Sequence, residues 1–119
     1  MTASARSIEL AQIAAQAATD KLGEDIVALD VSEVFPLADV FVFASSRNER
    51  QTPAIADEIA HQLQLAGVKL LRSEGKAGGR WILLDFGDII VHVMHEEERV
   101  FYAVERLWKD GIPLQLELS

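Results

Sequence analysis

Residues 80–108 read R-W-I-L-L-D-F-G-D-I-I-V-H-V-M-H-E-E-E-R-V-F-Y-A-V-E-R-L-W, from Arg80 to Trp108. Two apolar runs flank Phe86-Gly87, a dipeptide suited to a tight turn, so the stretch predicts a hairpin of Trp81 to Asp85 with Asp88 to His95. Glu96, Glu97 and Glu98 then open a helix, where acidic side chains complement the positive end of the helix dipole. Val100, Phe101, Val104, Leu107 and Trp108 recur at helical spacing beyond them. Both tryptophans, the single tyrosine and two of the three histidines lie in this stretch. Which face of it is core and which is surface is therefore the central question.

Alternation along a strand gives a first answer. If Asp85 pairs with Asp88, Leu84 lies opposite Ile89, Ile82 opposite Val91, and Trp81 opposite His92. One face then collects Ile82, Leu84, Ile89, Val91 and Val93, all aliphatic, and is the core face. The other collects Trp81, Leu83, Asp85, Asp88, Ile90, His92 and Met94. Two readings of this second face stand side by side. A helix covers it and Trp81 is ordinary core, or it is a partly exposed patch that a partner protein covers, since Trp and Met are enriched at such patches.

Upstream, Ile8 to Leu22 has helical periodicity, with Ser4 or Ser7 as its cap and Gly23 as its end. Glu24 to Val31 reads as a strand. Asp39 to Ser45 is a second strand, apolar on both faces and therefore central. Thr52-Pro53 suits a helix start, with Pro53 in the first turn. An earlier start would place Pro53 where it costs a backbone bond. Ile55, Ala56, Ile59, Ala60 and Leu63 form the apolar face of that helix, which Gly67 stops. Val68 to Arg72 is a short strand, and Glu74 to Gly79 a flexible loop. The tail from Pro113 to Ser119 alternates Leu114, Leu116 and Leu118, as an edge strand would. The order is α-β-β-α-β-β-β-α, an α/β (α+β) chain with a mixed sheet flanked by helices. The 119 residues suit a single domain over 1–119, with short flexible ends at about 1–6 and 112–119.

Composition narrows the function. Half of the chain is apolar and the formal charge is −8. A phosphate backbone calls for a basic surface, so broad nucleic-acid binding is disfavoured, while a basic protein partner suits the charge. The absence of Cys excludes disulfides, thiolate metal sites and Cys nucleophiles, and fits the cytoplasm. No apolar run approaches the ~20 residues that cross a bilayer. Glu9, Gln12, Gln16 and Asp20 interrupt the Ala-rich start, which therefore lacks a signal-peptide core.

Chemical motifs are weak. His92 and His95 are three apart on a strand and face opposite ways, so they share a metal only if the strand ends between them. His61 is mid-helix beside Gln62 and reads as solvated, and His92, with no Ser nucleophile placed beside it, reads as a satisfied semi-buried histidine rather than a general base. The G-K-A-G-G loop, Gly75 to Gly79, lacks P-loop spacing and precedes a hairpin rather than a helix. Asp30 and Asp39, at adjacent strand ends, suit either a divalent cation or turn and cap roles. Arg47 and Arg50 precede a helix and suit either an anion there or solvent. On the last helix Glu98, Tyr102 and Glu105 share one side, and Arg99 and Arg106 an adjacent one.

Taken together, the pieces resemble the ribosomal silencing factor (Iojap-related) family, from about Ile8 to Trp108. They are A-L-D-V-S (Ala28 to Ser32), A-D-V-F-V (Ala38 to Val42), S-x-R-N-E-R-Q (Ser45 to Gln51) and A-I-A-D (Ala54 to Asp57). S-E-G (Ser73 to Gly75), W-I-L-L-D-F-G-D-I-I-V-H-V (Trp81 to Val93) and E-R-V-F-Y-A-V-E-R-L-W (Glu98 to Trp108) complete the series.

The resemblance implies a nucleotidyltransferase-like fold without catalysis, cofactor or metal. It implies binding to a basic large-subunit ribosomal protein, number fourteen, on the intersubunit face, with little direct rRNA contact. Small-subunit joining is then blocked and translation repressed when nutrients are scarce. Homodimers are also implied. The nucleotidyltransferase signature, a Gly-Ser at a helix start and a D-x-D pair on a strand, is absent. Ala44-Ser45-Ser46 lacks the glycine, and Leu83-Leu84-Asp85 holds one acid. On the face argument, Trp81, Leu83, His92 and Met94 are expected to form an apolar anchor, with Glu98, Arg99 and Tyr102 adding polar contacts. The enzyme alternative uses Asp30 and Asp39 with a metal. A third possibility is a self-associating module.

Overall fold

The computed structural model describes residues 3–75, 78–102 and 109–119, with only the backbone described for 100–102. Chain order is α1 (Ala5–Asp20), β1 (Glu24–Asp30), β2 (Val40–Ser46), α2 (Gln51–Leu65), β3 (Arg72–Glu74), β4 (Trp81–Asp85), β5 (Ile89–His95), α3 (Glu96–Tyr102) and β6 (Ile112–Pro113). The strands form one mixed sheet in the order β3-β4-β5-β2-β1-β6. Among the described strands only β2 and β5 pair in parallel; every other neighbour is antiparallel.

Each face of the sheet carries its own core. On one side α1 and α2 pack against Val40, Val42, Ile82, Leu84, Ile89, Val91 and Val93. The inner side of α1 is almost all alanine, with Ala11, Ala14 and Ala18 fully buried. Such small side chains let its backbone lie close to the sheet. The opposite side holds Leu29, Phe41, Phe43 and Met94, with Val31 and Ala38 from the β1–β2 connection. As its two-sided apolar pattern predicts, β2 is buried at all seven positions.

Several boundaries differ from the sequence reading for local reasons. Helix α1 starts at Ala5 because Ser4 is extended and its Oγ accepts from the Ser7 amide at 3.0 Å. Helix α2 starts at Gln51, so Pro53 is its third residue. No intrahelical carbonyl is available to the amide there, and the proline costs no hydrogen bond. The edge strand β3 is Arg72–Glu74 rather than 68–72. Val68 and Leu70 instead turn into the first core, and only polar, exposed residues remain for the ladder with β4.

The hairpin register also shifts. Phe86 donates its amide to the Ile89 carbonyl at 3.0 Å, and Gly87 sits at φ +89. The turn is therefore Gly87-Asp88, with glycine at the position that demands positive φ. Trp81 pairs with Met94, Ile82 with Val93, Leu83 with His92, and Asp85 with Ile90. Every partner moves by two residues relative to the expected Asp85–Asp88 pairing. An even shift keeps each side chain on its face, so the division into two faces survives.

The described ends are tied down rather than free. The Ala3 amide donates to Asp30 Oδ2 at 2.8 Å. After the two-residue strand β6, the tail leaves the sheet and runs along α1. There the Gln12 side chain both donates to and accepts from the Glu117 backbone, and Gln16 does the same with Ser119. Leu114 and Leu116 pack on the first core beneath. The tail thus forms no long edge strand, because helix α1 offers it both apolar surface and backbone partners.

The C-terminus of α1 carries backbone strain. Leu22 adopts φ 65 and donates to Thr19, while Gly23 donates to Ala18. This is a Schellman cap with leucine where glycine or asparagine is usual. The side chain of Leu22 is 77% exposed, so it recovers little by burial. Leu22→Asn is expected to raise stability by roughly 1 kcal/mol, the lower end of the ~1–2 kcal/mol that the left-handed conformation costs an ordinary side chain. Urea unfolding with an unchanged m-value is the check.

Candidate docking surface

Trp81 opens β4, and His92 lies near the middle of β5, diagonally across the ladder. Both project to the face away from α1 and α2. The Trp81 Nε1–H donates to His92 Nδ1 at 3.2 Å. Parallel pairing sets His92 beside Phe43 of β2. The imidazole stacks on Phe43, with centroids 5.0 Å apart and planes 11° apart, and meets Phe41 edge-on at 5.6 Å. Phe35, from the β1–β2 connection, adds an edge contact to Phe41 at 5.1 Å. Trp81 therefore rests on a layer of rings supplied by three segments.

The structure sorts the expected anchor residues by depth. Trp81 and Leu83 are half-buried, as is Glu98. His92 is only 7% exposed and Met94 is fully enclosed. Arg99 is also buried, and its Nη1 donates to Ser45 Oγ at 2.8 Å. The expectation that His92, Met94 and Arg99 are themselves surface contacts is thus corrected. Alternation fixes the direction of a side chain, not what lies over it. Here the start of α3 and the Val31 to Ala38 connection pack over that face. The side chains of Tyr102, Glu105 and Arg106 lie outside the described residues. The expected solvated face of α3 is replaced at Arg99 by a polar bond to the central strand. Ser45 was the available signal, a polar residue ending a strand otherwise apolar on both faces.

Burial sets the charge state of His92. Desolvation lowers its pKa to about 4, so the ring is neutral at neutral pH. Nδ1 acts as the acceptor, which places the ring proton on Nε2.

At the same end of the sheet, Arg80 is ringed by acids. Its guanidinium meets Glu98 at 2.8 Å, Glu49 at 3.1 Å and Glu97 at 3.5 Å. Hydrogen bonds to these carboxylates, Glu98 first, raise its pKa further above the usual arginine value. Three carboxylates around one cation leave this edge negative, and Glu97 is 71% exposed. The loop before β4 packs tightly here. Gly75, at φ +86, passes so close to the Trp81 carbonyl oxygen that a side chain would collide with it. Residues 76–77 of the G-K-A-G-G segment lie outside the described residues.

The remaining motifs resolve into structure. Asp30 Oδ2 accepts from the Ala3 amide, and Oδ1 accepts from the Ser32 amide and hydroxyl. Burial pushes this carboxyl up, but the bonds from Ser32 and Ala3 outweigh it and the pKa is lowered. Asp39 Oδ2 accepts from the Ser4 amide and the Ser7 hydroxyl. Both acids thus face hydrogen-bond donors that fix the entry to α1, a donor environment unsuited to a cation. Among the described residues no three His, Asp or Glu converge on a metal geometry. Arg47 pairs with Glu24, while Arg50 lines an open cleft with Lys21 and Leu22. His95 Nδ1 accepts from the Glu97 amide and helps start α3. No helix among the described residues is long and apolar enough to cross a membrane.

A family model described as ribosomal silencing factor during starvation matches residues 4–118. A ribosomal silencing factor of Halalkalibacterium halodurans is 40% identical over 92% of this chain and 93% of its own. A crystal structure of a Chromobacterium violaceum protein superposes with a TM-score of 0.83 at 35% identity, covering 93% of this chain and 92% of that one. A mouse protein named for mitochondrial assembly of the ribosomal large subunit is 29% identical over 71% of this chain and 38% of its own.

The buried neutral imidazole makes stability depend on pH. Its folded pKa of about 4 lies below the value of ~6.5 for an unfolded chain. Between these values the unfolded state takes up a proton that the native state refuses. Stability therefore falls as pH drops through this window, by about 3 kcal/mol in total. Urea unfolding at pH 7.0 and 4.5 should show that loss in the natural chain and a clearly smaller one in His92→Phe.

Proposed function

The chain belongs to the ribosomal silencing factor family, and on that premise we propose that it docks on the large ribosomal subunit and keeps the small subunit from joining. The proposed contact is ribosomal protein fourteen, a basic protein on the intersubunit face. Occupation of that face would exclude the small subunit by steric overlap, with no chemical step. Translation would be damped when nutrients are limiting, in the cytoplasm where ribosomes assemble. The protein acts in this reading as a regulator, not an enzyme, and self-association into a homodimer is part of the same proposal.

The observation that carries the reading is the half-buried Trp81 and Leu83 pair, set on a preformed ring layer beside an acidic edge. A rigid, partly exposed tryptophan is a typical source of binding energy at protein interfaces. Carboxylates at the rim steer a basic partner and disfavour rRNA phosphate. Trp81, Leu83 and Glu98 are the proposed contacts, with Tyr102 added from α3. His92 and Met94 support the patch from below, and Arg99 holds the start of α3 to Ser45.

Sedimentation of ribosomal subunits with and without the protein tests this directly. Joined ribosomes should decline at stoichiometric protein, and unchanged joining would contradict the proposal. Trp81→Ala should weaken large-subunit binding ~30-fold or more, the equivalent of a ~2 kcal/mol anchor. A folded Trp81→Ala protein that cosediments like the natural chain would remove Trp81 from the interface.

A further inference from the structure

We infer that His92 is the positioning residue of this surface: it turns the polar edge of the Trp81 indole inward, so that a partner meets only the apolar ring. The inference rests on the reading of Trp81 as the docking anchor. It assigns His92 a role through Trp81 rather than through contact with the partner.

The indole has a single polar hydrogen, on Nε1, and His92 Nδ1 accepts it within the protein at 3.2 Å. His92 is too deeply buried to be touched from outside. Its ring cannot swing away easily, because Phe43 stacks on one face and Phe41 packs against it at an angle. The acceptor is therefore fixed, and it fixes the indole. When a partner covers Trp81, the N–H already has its bond and loses no water. An indole without this acceptor would need one from the partner, or would be stripped of solvent with no replacement. That difference is worth roughly ten- to hundredfold in affinity.

Two demands meet at this position, and different residue types satisfy them separately. Phenylalanine keeps the stack on Phe43 but offers no acceptor. Asparagine offers Oδ1 close to the place of Nδ1 but gives up the stack. A space-filling role for His92 predicts that phenylalanine is tolerated and asparagine is not. A positioning role predicts the reverse for binding.

The test uses the full chain with indole 15N–1H spectra and large-subunit cosedimentation. The Trp81 signal is assigned by its loss in Trp81→Phe, since Trp108 supplies the only other one. His92→Asn should keep the hydrogen-bonded indole shift and slow exchange, and bind within about threefold of the natural chain. His92→Phe should move the indole signal and weaken binding about tenfold or more. With Trp81→Phe already present, His92→Phe should cause no further loss. Normal binding by a folded His92→Phe protein with a displaced indole signal would overturn the inference. So would an undiminished effect of His92→Phe in the Trp81→Phe background. Failure of the natural chain to cosediment, with its indole bond intact, would overturn the docking reading and the inference with it.

Discussion

The structure depends on the parallel ladder between β2 and β5. Val40 to Ser46 align with Ile89 to His95 without a break, and both strands lie inside the sheet. A parallel pair cannot be closed by a tight turn, so the chain must travel out and back between them. That route contains α2, β3 and β4, and it places α2 on one face while β4 closes the hairpin with β5. The first core follows, because α1 and α2 cover the aliphatic face that the ladder creates. The second follows too, because the opposite face carries Phe41, Phe43 and Met94 and must also be covered.

The same ladder builds the candidate surface. It sets His92 beside Phe43, and the antiparallel partner β4 delivers Trp81 within reach of the imidazole. At the ladder's end, Ser45 receives Arg99 from α3 and Arg80 gathers Glu49, Glu97 and Glu98. The surface is thus an exposed margin of the second core rather than a patch added to a finished fold. Its rigidity comes from ring packing and backbone pairing. Its charge comes from a helix start that favours acids.

Much of this was legible in sequence because side-chain alternation has a period of two. The face assignment for Ile82, Leu84, Val91 and Val93 survived a two-residue register shift, which an odd shift would have inverted. The burial of β2 on both sides was equally legible from its unbroken apolar run. The register itself was not. It turned on whether Gly87 or Phe86 would occupy the position with positive φ. The short strand β3 was misplaced because its apolar neighbours Val68 and Leu70 serve the core, while the ladder uses the polar residues beyond them.

The amino-acid sequence by itself determined the order of elements, the two faces of the hairpin and the excess of acid over base. Family membership also followed from motifs whose order and spacing remain visible along a line. Tertiary structure alone decided depth. Trp81 and Met94 are ladder partners on one face, yet one is half-buried and the other enclosed. His92, which reads both as a semi-buried histidine and as part of a surface anchor, and Arg99, which reads as surface, lie inside because Trp81 and Ser45 supply partners there. The physical reason is that periodicity records the direction of a side chain from its own backbone. Burial and polar satisfaction depend on distant segments that meet only when the chain is folded.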